Sequence, residues 1–200
     1  MLTKDIYYTI DKKSEAEYKS KNSRFIALAF PVLDENAIKE ILQLLWKQHH
    51  KATHICYAWR LGTDQNKYRA NDDGEPSGTA GKPILGQIDS LNISDVAVFV
   101  IRYYGGTPLG TSGLIQAYKT SAKLALQEAK VISKYIMYNS KITFPYAAYS
   151  KVMQILMKHD ADILNQVIDN ICTITFSVRN AYKTKINSIF IEKNLASIEE

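Results

Sequence analysis

The sequence predicts an α+β chain of two consecutive units, and three observations predict it. Residues 53–61 alternate bulky and small side chains with the two-residue period of a strand. Residues 95–101 are short and almost wholly apolar, the pattern of a strand buried on both faces. Beyond Ser133 the segments run strand, helix, strand, strand, helix, most of a βαββαβ module of the ferredoxin-like kind. That change of pattern divides the chain into 1–133 and 134–200.

Residues 6–10 read as a first strand, and the charged stretch 11–21 as a loop or short helix. Residues 24–32 are apolar and strand-like, closed by Pro31 and Asp34. Asp34 fits an N-cap for a helix through His50, with Ile38, Ile41, Leu42 and Leu45 as its apolar stripe. In the next strand Thr53, Ile55, Tyr57, Trp59 and Leu61 share one face; His54, Cys56, Ala58 and Arg60 share the other. Residues 62–82 form a loop long enough to be a functional candidate. Pro83 suits the first turn of a short helix through Leu91, where its missing N–H costs nothing. After the apolar strand 95–101 and Arg102, a helix begins near Ser112 with Leu114, Ile115, Tyr118, Ala122, Ala125 and Leu126 inward. In the second unit, 135–144 reads as a strand closed by Pro145, 149–158 as a helix and 163–168 with 172–179 as a hairpin. Residues 181–193 form a second helix, which leaves 195–200 for a short closing strand.

Composition narrows the function classes. The apolar share of 46% supports a packed core. No apolar run approaches the roughly 20 residues of a membrane span, and the start of the chain lacks a signal-peptide core, so a cytoplasmic protein is expected. Cys56 and Cys172 are the only cysteines, which argues against a disulfide framework or a Cys-x-x-Cys zinc site. The net charge is +5, with 17 basic and 14 acidic residues in 1–133 against 8 and 6 in 134–200. A surplus spread so evenly permits contact with RNA but does not require it.

Seven of the nine glycines fall in two segments, residues 71–83 and 102–113. Such loops let backbone approach a ligand or another chain closely. Asp72, Asp73 and Glu75 are weak candidates to gather a cation such as Mg²⁺, against the simpler reading of an acidic turn capping local N–H groups. Ser77-Gly78-Thr79-Ala80-Gly81-Lys82 suggests an anion cradle at a helix start, although Pro76 and Pro83 break any Walker A pattern. Arg102 either clamps a phosphate or carboxylate or pairs with an acid of the Asp72–Glu75 loop. Tyr103 and Tyr104 offer stacking faces, one of which alternation turns inward. His54 and Cys56 share a face, but a mid-strand cysteine reads as a small apolar filler. His54 and Arg60 are expected to face the glycine loops together. Gly105, Gly106 and Thr111 complete the set of candidate binding residues.

The motifs His54-Ile55-Cys56-Tyr57-Ala58-Trp59-Arg60, then Asp72 through Pro83, then Arg102-Tyr103-Tyr104-Gly105-Gly106 with Leu109-Gly110-Thr111 and Gly113-Leu114, resemble the IMPACT family, bacterial YigZ type. Lys21-Asn22-Ser23-Arg24-Phe25 matches as well. The resemblance implies an N-terminal two-layer domain of the ribosomal-protein/elongation-factor α/β type, with helices against one face of a mixed sheet. It also implies a ferredoxin-like C-terminal domain similar to the last domain of elongation factor G. Eukaryotic relatives regulate translation under amino-acid starvation through a partner system that bacteria lack. Gln116 and the pair Thr107-Pro108 stand where the family commonly carries positive charge.

Two functions follow as expectations. One is a translation-associated binding protein contacting RNA, the ribosome or a translation factor, with Arg60, Lys82 and Arg102 supplying charge and no cofactor required. The other is an enzyme acting on a small phosphorylated or acidic substrate through the Asp72–Glu75 loop.

Overall fold

A computed structural model describes residues 5–199. Their residues divide into two compact units: Tyr7–Lys134, and the residues from Tyr135 onward together with the described start of the chain up to Ile6.

The strands of the first unit are β1 (Ile6–Ile10), β2 (Ser14–Ser20), β3 (Ser23–Pro31), β4 (His54–Leu61), β5 (Lys67–Asn71), β6 (Val96–Tyr103) and β7 (Val131–Tyr135). Its helices are α1 (Glu35–Gln48), α2 (Gly81–Ser90) and α3 (Gly110–Gln127). β1 and β7 pair, and the other strands form one sheet in the order β2-β3-β6-β4-β5, antiparallel throughout. The apolar run of β6 takes the central place, because only a strand with neighbours on both edges and cover on both faces removes all its side chains from water.

Alternation along β4 sorts its side chains as the pattern requires. Ile55, Trp59 and Leu61 join Ile26, Leu28 and Phe99 on the α1 side. Cys56 and Ala58 join Phe25, Ala27 and Val98 beneath α2 and α3. Small residues on the second side let two helices lie close to the sheet. The α+β class stands as expected, while α1 adds a layer on the opposite face and the sheet is antiparallel rather than mixed. Ile38 and Leu45 anchor α1, each burial worth about 1.5–3 kcal/mol, and Asp34 Oδ1 accepts from the Asn36 and Ala37 N–H groups at 2.8 and 2.9 Å.

Three local expectations are corrected. The stretch 11–21 holds β2, whose Ser14, Ala16 and Tyr18 turn inward while Glu15, Glu17 and Lys19 face water; Ser14 Oγ donates to the Ala125 carbonyl at 2.7 Å. The loop 62–82 contains the edge strand β5, which shortens the irregular segment leading into α2. Ile115 is exposed, since the inward stripe of α3 runs through Leu114, Ala117, Tyr118, Ser121, Ala122, Ala125 and Leu126.

The second unit contains β8 (Met137–Pro145), α4 (Tyr149–Lys158), β9 (Asp162–Val167), β10 (Ile171–Arg179), α5 (Lys183–Glu192) and β11 (Ser197–Glu199). The sheet order β11-β8-β10-β9 with antiparallel pairs completes the βαββαβ module, its last strand short. Ile142, Phe144, Ile174 and Phe176 meet Val152, Leu156, Ile186 and Phe190 in its core. Asp5 closes the unit, accepting from the Ile136 N–H through its carbonyl at 2.8 Å and from the Ala181 N–H through Oδ1 at 3.0 Å.

Candidate functional site

The β4–β6 register places His54 opposite Arg102 at the end of the sheet where both glycine segments emerge. A cleft of about 420 Å³ opens there, floored by Glu75, Arg102 and Leu114. Thr53, His54, Pro76, Tyr104 and residues 108–111 complete its lining.

Arg102 and Glu75 form a buried ion pair, Nη1 to Oε1 at 2.6 Å, with side chains 7% and 3% exposed. The Tyr118 hydroxyl donates to the same Oε1 at 2.7 Å. Burial, with Cys56 and Glu75 adding to it, raises the Tyr118 hydroxyl far above its ordinary value, so it stays a donor. Arg102 also lies against two rings, 5.6 Å from the centre of Phe25 and 5.4 Å from that of Tyr104. Arg102 Nε is buried and has no hydrogen-bond partner among the described residues.

The acidic loop is spent on its own backbone. Asp72 Oδ1 accepts from the Ala80 and Gly81 N–H groups at 3.0 and 2.8 Å, and Oδ2 from Gly78 N–H at 2.9 Å. Burial would raise the Asp72 carboxyl, but these donors, with Lys82 nearby, hold it below the usual carboxylate range. Asp73 Oδ2 accepts from the Ile55 N–H at 2.6 Å, and the Asp73 carbonyl accepts from His54 Nδ1–H at 2.6 Å. The Cys56 thiol donates to the Asp72 carbonyl at 3.0 Å, and burial pushes it well above its ordinary value. Among the described residues no group of three His, Cys, Asp or Glu side chains is placed to hold a metal ion. The simpler reading of the acidic turn, a brace built from backbone caps, describes Asp72 and Asp73; Glu75 is the acid of the loop that pairs with Arg102.

The anion cradle expected at Ser77–Lys82 is therefore already filled by the Asp72 carboxylate. Thr79 is buried, its hydroxyl donating to the Pro76 carbonyl at 2.6 Å, while Ser77 and Lys82 are exposed. Gly81 is needed because a Cβ there would sit 2.5 Å from the Asn71 backbone nitrogen. An analogous restriction holds at Gly105, whose Cβ would meet the Asn22 carbonyl at 2.1 Å, pinning the second glycine segment to the β2–β3 turn.

The other helix start is open. No side chain caps α3, and its first turn carries no acidic residue. Its free N–H groups and positive dipole end border the same cleft as Arg102, with Thr111 exposed at the rim.

The structure thus brings His54, Glu75, Arg102, Tyr104 and Thr111 together, with Gly105 and Gly106 in the adjoining turn. Tyr103 points to the α1 side, its hydroxyl 2.8 Å from His49 Nδ1, so Tyr104 alone presents a free ring. Arg60 does not reach the cleft. It stands at the far end of β4 opposite Val96, paired with Asp89 at 2.7 Å and bonded to the Gln65 carbonyl. Two residues at the site escape sequence reasoning. Tyr118 sits in an apolar helical stripe, and only the rule that a buried tyrosine needs a hydroxyl partner hints at more. Thr53, whose Oγ1 accepts from the Tyr104 N–H at 3.2 Å, carries no signal in the sequence.

Residues 21–126 match the family model described as the Impact N-terminal domain. IMPACT family member YvyE of Bacillus subtilis (strain 168) is 40% identical over 131 residues, 66% of this chain and 60% of that protein. IMPACT family member YigZ of Escherichia coli (strain K12) is 33% identical over 147 residues, 72% of each. Protein IMPACT of Bos taurus is 36% identical over 95 residues, 45% of this chain and 29% of its own length. A solved structure titled "Crystal structure of an hypothetical protein" superposes with a TM-score of 0.79 at 25% identity, covering 98% of this chain and 97% of that one.

Proposed function

The chain belongs to the IMPACT family, and from that premise we propose that it is a translation-associated binding protein whose cleft receives phosphate groups of RNA, on the ribosome or free. One observation carries this reading. The Arg102 guanidinium and an uncapped, acid-free helix start line one cleft. The helix start favours an anion, and the Arg102 guanidinium, paired with Glu75, lies beside it. Tyr104, 47% exposed beside the guanidinium, supplies a face on which a base stacks. The family resemblance, with its implication that eukaryotic relatives regulate translation, directs the reading to the translation apparatus.

Within this reading Tyr118 orients Glu75 and Glu75 holds the guanidinium in place, so Arg102 lends fixed positive charge to the cleft. The caps on Asp72 and Asp73 keep the loop rigid, which lowers the entropy lost on binding.

The test uses the anisotropy of a labelled single-stranded RNA with wild-type protein and with Thr111→Glu. A glutamate in the first turn complements the helix dipole, so the fold is kept while the anion site gains a negative charge. The expected result is salt-sensitive binding that weakens at least tenfold in the variant. Equal affinity for the two proteins, or affinity flat across the salt series, overturns the reading.

A further inference from the structure

The second unit carries a groove that the cleft does not involve. It lies between α4 and α5, has a volume of about 650 Å³, and is flanked by Lys151 and Lys158 on one side and Lys185 and Lys193 on the other. All four lysines are exposed, and no acidic residue lines the groove. None of the four is ion-paired among the described residues. The floor between them is aliphatic, formed by Ile155, Ile189 and Leu195, each partly exposed.

The spacing follows from helical geometry. Gln154, Ile155 and Lys158 lie three, four and seven residues after Lys151, so they share one face of α4. Lys185 and Ile189 are four apart on α5, and Lys193 caps its C-terminus four residues further on. Lys151 to Lys158 spans about 10 Å and Lys185 to Lys193 about 12 Å at the helical rise, so each cationic edge runs for about two turns. His159, at the end of α4, lies within the same positive field: burial first, then Lys185 and Lys158, lower its imidazole below the usual range.

We infer that this groove docks an acidic amphipathic helix of a partner protein, its apolar stripe on Ile155, Ile189 and Leu195 and its carboxylates against the lysines on both edges. Two features favour this occupant over nucleic acid. The floor is aliphatic, whereas single-stranded RNA is held on aromatic platforms, and duplex phosphate offers no apolar surface to cover such a floor. Lysines flanking an apolar strip match the groove mode of helix recognition, in which apolar anchors recur at i, i+3, i+4 and i+7.

The experiment selects a displayed library of sixteen-residue helical peptides on the full chain and on Lys158→Glu/Lys193→Glu, two exposed positions whose change leaves the core intact. Selected peptides are expected to combine an apolar stripe with flanking Asp or Glu. Their affinity for the charge-reversed protein is expected to fall at least tenfold, and scrambling the stripe at constant charge to weaken binding to the same extent. No enrichment, peptides indifferent to the reversal, or scrambled peptides that bind equally well would each overturn the proposal. So would a single-stranded RNA that binds more tightly than the peptides and is lost in the same variant. Because Thr111 and the cleft residues are untouched, failure here leaves the RNA reading of the first unit standing or falling on its own test.

Discussion

At the scale of single residues, charge and burial combine most sharply at Arg102 and Glu75. Replacing Arg102 with alanine leaves a buried carboxylate whose remaining partner is the Tyr118 hydroxyl. Breaking such a pair costs about 3–5 kcal/mol, and chemical denaturation is expected to show a loss of that size. Asp72 gives a pH-dependent counterpart. Its carboxyl is depressed in the fold, so its contribution is fully present above its unfolded value near 3.8 and disappears as pH falls through the lower, folded value. Asp72→Asn turns an amide donor toward one of the three backbone N–H groups and is expected to cost about 1–3 kcal/mol at pH 7. Urea titrations below pH 4 should find the gap between the two proteins narrowing; a constant gap would contradict the caps as the source. These pairings show where sequence reasoning reaches its limit. Arg102 was legible as a cation at the end of a buried strand, with a bound anion and an acid of the Asp72–Glu75 loop as its two alternatives. Which acid, and the help of Tyr118, depend on a separation of 27 and 43 residues along the chain that no local pattern encodes.

Among the elements, those with strong periodicity declared themselves. α4 falls on residues 149–158 as the apolar stripe requires, and the centre of the sheet follows from the unbroken apolar run of β6. β2 and β5 were hidden for a shared reason. Both are edge strands, exposed on at least one side, and their composition is that of a loop; their hydrogen bonds come from β3 and β4, not from their own sequence. The excessive length of the segment 62–82 was the one signal that a strand lay inside it. Arg60 shows the converse error: sharing a face with His54 says nothing about distance along the strand, and six residues separate the two ends. Two glycines test the packing account. Gly105→Ala forces a Cβ into the Asn22 carbonyl and is expected to destabilise by about 3 kcal/mol, the upper end of overpacking costs. Gly86→Ala, exposed within α2 with nothing near its Cβ, is expected to stabilise by about 0.4–1 kcal/mol. Thermal melts of the pair should move in opposite directions.

For the molecule as a whole, the positive balance of the sequence acquires locations. In the first unit the cleft is lined by an uncapped helix start and a guanidinium paired with Glu75 rather than by a lysine-rich surface. In the second, the lysines gather along one groove. No described helix is long and apolar enough to cross a membrane. The IMPACT resemblance visible in the glycine motifs is the family to which the chain belongs, and those motifs are the ones that build the cleft and its brace. The most direct test of this account is co-sedimentation of the full chain with ribosomes over a salt series, beside Thr111→Glu. The account predicts association at low salt that declines steeply as salt rises and is lost in the variant, with its melting temperature unchanged or higher. Association that persists undiminished in Thr111→Glu, or none at low salt with the wild-type chain, would contradict it.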